Sequence, residues 1–366
     1  MISVIIPVYN GEEYIAETVG HILHGKYQDV EVIVVIDGTH DKSQDICEAI
    51  AERDDRVKVY YKENGGIASA RNYGIARAHG EYIGVCDQDD VVQAEMYTSM
   101  VSVLDAENAD FAFCSTGQLV DGQIIPFETF DDAVYVGKDI LEQLLYPVLF
   151  EGYQVPVARS NVNRPPSIWK ALIRKEFWDC YKLHFHAYVS FEDDLLMTVR
   201  ILSLATKVCT VSYRGYLWRI NMQSESHARK YIDDIGKKQE LWCRDICQYV
   251  DGAKIPQDVK NMIKSVTNCK QYVDAILNLC SSQRKESFHD IKMYYENNIY
   301  KRDFEESIKM AEYAQAQYPM QKYILMMLKK KHTYGSYWMA QILSFILYKV
   351  LKSKVFMKLD SMLKHK

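Results

Sequence analysis

Four apolar runs alternate with amphipathic stretches through the first part of the chain. Ile2 to Ile6 is solidly apolar, Val30 to Ile36 is broken only by Glu31, and Val57 to Tyr61 and Tyr82 to Cys86 follow. Runs of this length, bounded by turn-forming residues, predict buried strands. Between them lie helical patterns. Glu12 to Leu23 places Ile15, Val19, Ile22 and Leu23 near one face, Gln44 to Arg53 forms a second, and Ile67 to His79 carries Ala68, Ala70, Ala76 and Ala78. Strands without polar alternation, joined by helices, predict an α/β fold with a mostly parallel sheet covered on both faces. Each strand runs into small, polar or acidic residues: Asn10, Asp37, Asp41, Asn64, Asp87 and Asp89. That polarity collects at the carboxyl edge of the sheet, where open α/β folds bind ligands.

Beyond residue 90 the pattern loosens. Asp110 to Cys114 reads as another strand, and Tyr153 to Pro166 as a long proline-bearing loop of functional type. Trp169, in Ser167 to Trp178, reads as a packing residue. Phe191 to Leu202 opens with acidic residues and continues as an amphipathic helix. From His227 strand signals nearly vanish, and Lys230–Tyr249, Val259–Leu279, Ile291–Ile299 and Phe304–Tyr318 read as helical. The expected organisation is an α/β domain over 1–226, divided into halves 1–110 and 111–226. A helical appendage over 227–320 and a basic amphipathic tail over 321–366 follow it.

Charge sharpens the view of the tail. The 366-residue chain carries a formal charge of −5, yet residues 321–366 hold ten lysines against one acidic residue. The acidic body argues against nucleic acid as a partner. In the tail Trp338, Ile342, Leu343, Ile346, Leu347, Val350 and Leu351 share a broad helical face flanked by lysines and aromatics, as an interfacial helix requires. Tyr334 to Tyr348 is too short to span a bilayer. The expectation is a cytoplasmic protein, peripheral on the inner face of the cell membrane; a packed helix or an oligomer contact is the alternative. Nine scattered cysteines without a CxxC pair argue for reduced thiols rather than disulfides or zinc. No basic, then apolar, leader opens the chain.

The candidate chemistry centres on Gly80 to Asp90, GEYIGVCDQDD. Asp87 and Asp89 end a strand two residues apart, so in extended backbone they point to one side. Two hard oxygen ligands suit Mg²⁺ or Mn²⁺ holding a diphosphate. Asp90, next in line, reads as the cap of the following helix; the alternative for the whole stretch is an acidic turn without a metal. Neither GxGxxG nor GxxxxGK[ST] occurs, which disfavours a dinucleotide fold and a P-loop.

Five segments in order, SVIIPVYNGEEYI, VIDGTHDKS, ENGGIASARNYGI, GEYIGVCDQDD and FEDDLL, resemble the family 2 glycosyltransferases over about residues 1–220. The resemblance implies a GT-A fold and an inverting enzyme of bacterial surface-polysaccharide type. Such an enzyme moves a sugar from a nucleotide-sugar, here a UDP-sugar, to a hydroxyl of a glycan or lipid-linked saccharide acceptor. It implies that Pro7, Val8 and Tyr9, with Asn10 and Glu12, line the nucleotide. Asp37 would accept a hydrogen bond from a uracil-type ring, or else make an Asx turn. Gly65 and Arg71 fall on the donor side, Arg71 alternatively pairing with a sheet-edge carboxylate. Asp89 is the implied metal ligand, with Asp87 by the ribose and metal. Asp193 is the implied catalytic base with Glu192 as neighbour, and Asp194 leaves the register open by one residue. Arg219 would clamp the diphosphate or remain a surface arginine. An inactive nucleotide-sugar-binding module and a sugar nucleotidyltransferase are the competing readings. The first is disfavoured by Glu192-Asp193, the second by the absence of a glycine-rich basic N-terminal signature.

Overall fold

The computed structural model describes residues 1–150, 167–186, 193–220, 232–279 and 287–294, with isolated positions between 296 and 342. The chain divides into two compact units. One comprises residues 1–148 and 159–220, the other 149–158 and 221–366.

The first unit is built on one sheet. Its first half alternates β1 (Ile2–Val8), α1 (Ile15–Leu23), β2 (Val30–Asp37), α2 (Ser43–Ala51), β3 (Val57–Lys62), α3 (Ile67–Ile75) and β4 (Tyr82–Val85). Strands β3, β2, β1 and β4 lie side by side and parallel, in register from Ile2 opposite Val30 and Tyr82. All of β1 and nearly all of β2 are buried, as their unbroken apolar runs require. Helix α1 buries Ile15, Thr18, Val19, Ile22 and Leu23, the one-sided spacing of a helix laid on a sheet. It starts three residues later than its pattern suggested, because Asn10 to Glu12 are tied to a neighbouring loop. Helix α3 lies close on the sheet: a Cβ on Gly74 would come within 2.7 Å of an Ile5 methyl.

The second half completes the sheet: β5 (Val91–Val92), α4 (Met96–Glu107), β6 (Phe111–Val120), β7 (Gln123–Glu128) and β8 (Ala133–Val136). A π-helical turn at Ile140–Leu145 runs into α5 (Tyr146–Leu149). A 3₁₀ turn at Ile168–Lys170 leads into β9 (Ala171–Arg174), α6 (Lys175–Cys180), α7 (Asp193–Leu204) and β10 (Lys207–Arg219). The sheet order is β3-β2-β1-β4-β9-β6-β10-β5. Strand β9 is antiparallel to both β4 and β6, so it runs against its neighbours, as β5 does beside β10 at the sheet's edge. It fills the centre of the sheet with Leu172 and Ile173 fully buried. Trp169 packs its ring on Tyr216, 4.8 Å between centroids, as expected of a packing residue.

One expectation fails here. Asp90 does not cap the following helix: α4 begins at Met96 after Glu95 and has no side-chain cap. Asp90 is instead 2% exposed and binds the end of β10.

In the second unit the described helices are α8 (Ile235–Gly252), α9 (Gln257–Leu279) and α10 (Phe288–Tyr294). Helix α8 buries Trp242, Cys243, Ile246 and Val250 along one side, and α9 buries Val259, Ile263, Val266 and Cys269. Among the described residues of this unit, the helical character expected from His227 onward is present. Cys243 sits on the buried face of α8. All eight described cysteines are free thiols. The loop Tyr153–Pro166, Glu192, residues 221–226, Phe304–Tyr318 apart from a few positions and nearly all of the 321–366 tail lie outside the described residues.

Candidate active site

The ends of β1 and β2 are laced together. Asn10 takes a left-handed backbone, φ 50°, and its side-chain oxygen accepts from the Thr39 hydroxyl and the His40 N–H. The N–H groups of Asn10, Gly11 and Glu12 donate in turn to Thr39 Oγ1, Ser43 Oγ and Asp41 Oδ2, at 2.8 to 2.9 Å. Glu12 returns a bond by accepting from Lys42 N–H. Asp41 is the hub of this lacing. Burial raises its pKa, but hydrogen bonds from Ser43, Thr39 and the Glu12 N–H outweigh burial and bring it down to about 2. The motif residues Asn10 and Glu12 thus shape the loop. Tyr9 stands 44% exposed beside it, its backbone gripped at both N–H and C=O by the Gln88 amide. Pro7 and Val8 are the last residues of β1, Val8 being fully buried.

Asp37 ends β2 almost completely buried. Its carboxylate accepts from the N–H groups of Gly65 and Gly66, at 3.0 and 2.9 Å, and from the Lys62 ammonium. Gly66 holds φ 81°, a conformation open to glycine and costly for side-chain-bearing residues, and this brings both N–H groups onto one carboxylate. The bonds to its side chain reach another strand's loop, so the local Asx turn considered from sequence does not describe it. Gly65, a donor-side candidate, is thereby joined to Asp37.

Arg71 is the electrostatic centre. It projects from α3, is 1% exposed, and gathers three carboxylates. Nη2 donates to Asp87 Oδ1 at 2.9 Å; Nη1 donates to Asp193 Oδ2 at 2.8 Å and Asp194 Oδ1 at 2.6 Å. The Phe185 ring lies against the guanidinium, 5.2 Å from centroid to Cζ. Asn72, the next residue in the motif, clamps Phe185 by donating to its C=O and accepting from its N–H. Burial opposes the arginine's charge, but Asp194, Asp193 and Asp87 outweigh it and raise its pKa well above the ordinary value. Burial also raises Asp193, against the pull of Arg71, and lifts Asp194 to about 7, with the Asp193 and Asp87 charges adding to the rise. Burial therefore makes both adjacent carboxylates hold their protons more tightly than ordinary aspartates, although they share one guanidinium nitrogen.

The DQDD segment is fixed from β10. The Tyr216 hydroxyl donates to Asp90 Oδ2 at 2.7 Å and accepts from the Asp87 N–H at 3.1 Å. The Arg219 N–H donates to Asp90 Oδ1, and its Nε to the Asp89 carbonyl, both at 2.8 Å. Arg219 Nη2 pairs with Glu17 at 2.9 Å, and its guanidinium lies over Tyr14. Burial, then the Asp87 and Asp89 charges, push Asp90 well above the usual carboxylate range. Arg219 is therefore neither a free surface arginine nor remote from the candidate metal residues. Asp87 and Asp89 both sit on this partly exposed edge. Among the described residues, no group of three or more His, Cys, Asp or Glu side chains converges as a ready-made metal cage.

The structure thus brings Arg71, Asp87 and Asp193 together, and Asp37 with Gly65, from motifs scattered along the chain. It places Asp194, which left the register open by one residue, on the same Arg71 nitrogen as Asp193. It adds Lys62, Gln88 and Tyr216, which were not candidates; Lys62 had only its place at the end of a strand.

Known proteins agree with this architecture. The model for glycosyl transferase family 2 matches residues 3–121. Glycosyltransferase GlyG of Streptococcus pneumoniae serotype 4 is 32% identical over 263 residues, which cover 68% of this chain and 77% of its own. The uncharacterized glycosyltransferase EpsJ of Bacillus subtilis is 29% identical over 228 residues; the match spans 61% of this chain and 62% of EpsJ, a little under two thirds. The structure of S. aureus TarS 1–349 in complex with UDP-GlcNAc superimposes with a TM-score of 0.66, over 93% of this chain and 91% of that one, at 18% identity. The fold is that of the GT-A glycosyltransferases. The chain belongs to glycosyltransferase family 2.

Proposed function

We propose that the protein is an inverting glycosyltransferase that moves a sugar from a UDP-sugar to a hydroxyl of a glycan or lipid-linked saccharide, in surface polysaccharide assembly. The observation that carries this reading is the buried Arg71, which brings a donor-side carboxylate, Asp87, and a base candidate, Asp193, onto one guanidinium. Structures of TarS, which shares the fold, are in complex with UDP and with UDP-GlcNAc, which makes uridine donors the first to test.

In this reading Asp37 accepts from the base, while Tyr9 and the loop built by Asn10, Glu12, Thr39 and Asp41 border the nucleotide. Asp193 takes the proton of the acceptor hydroxyl. The freed oxygen attacks the anomeric carbon from the side opposite the diphosphate, and the sugar–phosphate bond breaks with its electron pair leaving on the nucleoside diphosphate. One displacement inverts the anomeric centre. Burial raises the Asp193 pKa above the ordinary carboxylate value, which makes it a stronger base for such a proton transfer, worth about 10²–10⁴ in rate. Arg71 holds Asp193 in place through Oδ2 and favours its ionised form.

A divalent cation, Mn²⁺ or Mg²⁺, would be held by Asp89 with Asp87. The donor set fits, since such ions take one or two carboxylates and complete their shell with phosphate oxygens and water. Arg71 engages only Oδ1 of Asp87, a side chain 29% exposed. When bound, the ion would neutralise charge on the diphosphate. Arg219, beside Asp89, would add to that charge balance on leaving Glu17.

The basic tail is assigned to an anionic membrane surface, in keeping with a lipid-linked acceptor. Trp338 and Ile342 are 63% and 48% exposed. Among the described residues no helix is long and apolar enough to cross a membrane.

The test is a panel of UDP-, GDP- and dTDP-sugars with and without chelator, run on wild type and Asp193→Asn. The variant should bind the donor as wild type does and lose transfer. Unimpaired turnover would move the base elsewhere, and full activity in chelator would remove the metal.

A further inference from the structure

We propose that Lys62 is a second base-reading residue, its ammonium donating to a ring carbonyl of the nucleotide while Asp37 accepts the neighbouring ring N–H. The proposal rests on the reading that Asp37 faces the base.

Lys62 and Asp37 end adjacent parallel strands directly opposite each other in register. The two side chains form an ion pair at the sheet's carboxyl edge, Lys62 15% and Asp37 4% exposed. An ionised carboxylate offers about four acceptor sites. Among the described residues, Oδ1 takes Lys62 and the Gly65 N–H, and Oδ2 takes only the Gly66 N–H. One acceptor site therefore remains, on Oδ2.

A lysine ammonium has three N–H donors. Two are spent, on Asp37 Oδ1 and on the Glu63 carbonyl at 2.6 Å. One donor therefore remains, on a group fixed by its two bonds. The pair presents one acceptor beside one donor, held rigid by the Gly65-Gly66 turn. The complementary ligand edge is an N–H beside a C=O, which is the imide edge of uracil. A buried carboxylate alone would demand an N–H and reward no carbonyl. With Lys62 in place the neighbouring carbonyl is read as well, and a base lacking it leaves a desolvated ammonium short of a partner.

The competing role is purely internal: Lys62 neutralises Asp37 and pins the turn. Ligand chemistry separates the two. Full-length wild type and Lys62→Met are titrated calorimetrically with UDP, N3-methyl-UDP, 2-thio-UDP and 4-thio-UDP. Wild type should bind UDP, lose affinity for N3-methyl-UDP, and bind one of the two thio analogues severalfold more weakly. Sulfur is a poorer acceptor than oxygen, so that analogue reports the ammonium contact. Lys62→Met should bind UDP at least about tenfold more weakly and no longer distinguish that thio analogue from UDP, as expected for loss of a charged hydrogen bond. If wild type binds both thio analogues as it binds UDP, the Lys62 contact is refuted without recourse to the variant. Retention of wild-type affinity and preference by Lys62→Met refutes it too. Equal binding of UDP and N3-methyl-UDP by wild type removes the Asp37 reading itself, and this proposal with it.

Discussion

Replacing Asp194 by Asn tests the electrostatics of the buried cluster most directly. Asp194 is raised from 3.8 to about 7, first by burial and then by the charges of Asp193 and Asp87, which together exceed the help of Arg71. In the folded protein its proton is retained until near-neutral pH; in the unfolded chain it is lost near pH 4. Stability from this group is therefore complete below pH 4 and drains away as pH climbs toward 7. Each pKa unit is worth 1.36 kcal/mol, so the full loss is on the order of 4 kcal/mol. The side chain is still 29% exposed, which makes that figure an upper bound. Asparagine mimics the protonated form, and its Oδ1 can still accept from Arg71 Nη1. The variant should match wild type near pH 4 and gain on it steadily to pH 7, after which the gap levels. Urea denaturation of both proteins at pH 4.5, 5.5, 6.5 and 7.5, followed by tryptophan fluorescence, reads the gap. Parallel stability profiles for the two proteins would refute the shift, and a gap that closed with rising pH would reverse its sign.

Three further substitutions probe other parts of the site. Arg71→Met leaves three carboxylates without their cation and should cost about 3–5 kcal/mol of stability; a melting temperature within a degree of wild type would show that solvent already screens them. Tyr216→Phe removes the hydroxyl between Asp90 and the Asp87 N–H, with an expected loss of about 1–3 kcal/mol and weaker donor binding. Unchanged donor affinity there would detach the DQDD geometry from donor recognition. Removal of residues 322–366 should abolish sedimentation with anionic vesicles while leaving hydrolysis of the soluble donor intact, and undiminished sedimentation would assign the tail another task.

The first half of the sheet was legible because its strands are buried on both faces, so Ile2–Ile6 and Val30–Ile36 show as unbroken apolar runs. The second half hid for definable reasons. Strand β9 is only Ala171–Arg174, too short for any periodicity to declare itself, yet it occupies the centre of the sheet. Strand β10 carries a register shift between Val211 and Tyr216, which breaks its alternation in mid-course. At the site, Asp87 stood out by its place at a strand end, while Arg71 and Asp193 were marked by the family resemblance; the pairing of Arg71 with a sheet-edge carboxylate was an open alternative, but its meeting with Asp193 was not foreseen. A buried Asp90 and a helix-capping Asp90 look alike in sequence, since either can follow a strand and precede a helix. Only the partners on β10, well over a hundred residues away, decide between them. Lys62 was invisible for a similar reason, because its partner Asp37 belongs to the neighbouring strand.

The Arg71 cluster has a consequence for how the enzyme comes into being. Its carboxylates lie 16, 122 and 123 residues along the chain. The loop closures that join them are long, and contacts of that span form late and slowly in folding. An incomplete chain that ends before Asp193 has Arg71 and Asp87 but lacks the other two acids, so it can form a partial donor edge without the proposed base. If Asp193 is the base as proposed, a nascent chain that ends before it would be unable to transfer sugar until the rest of the sheet has been made and has returned to α3.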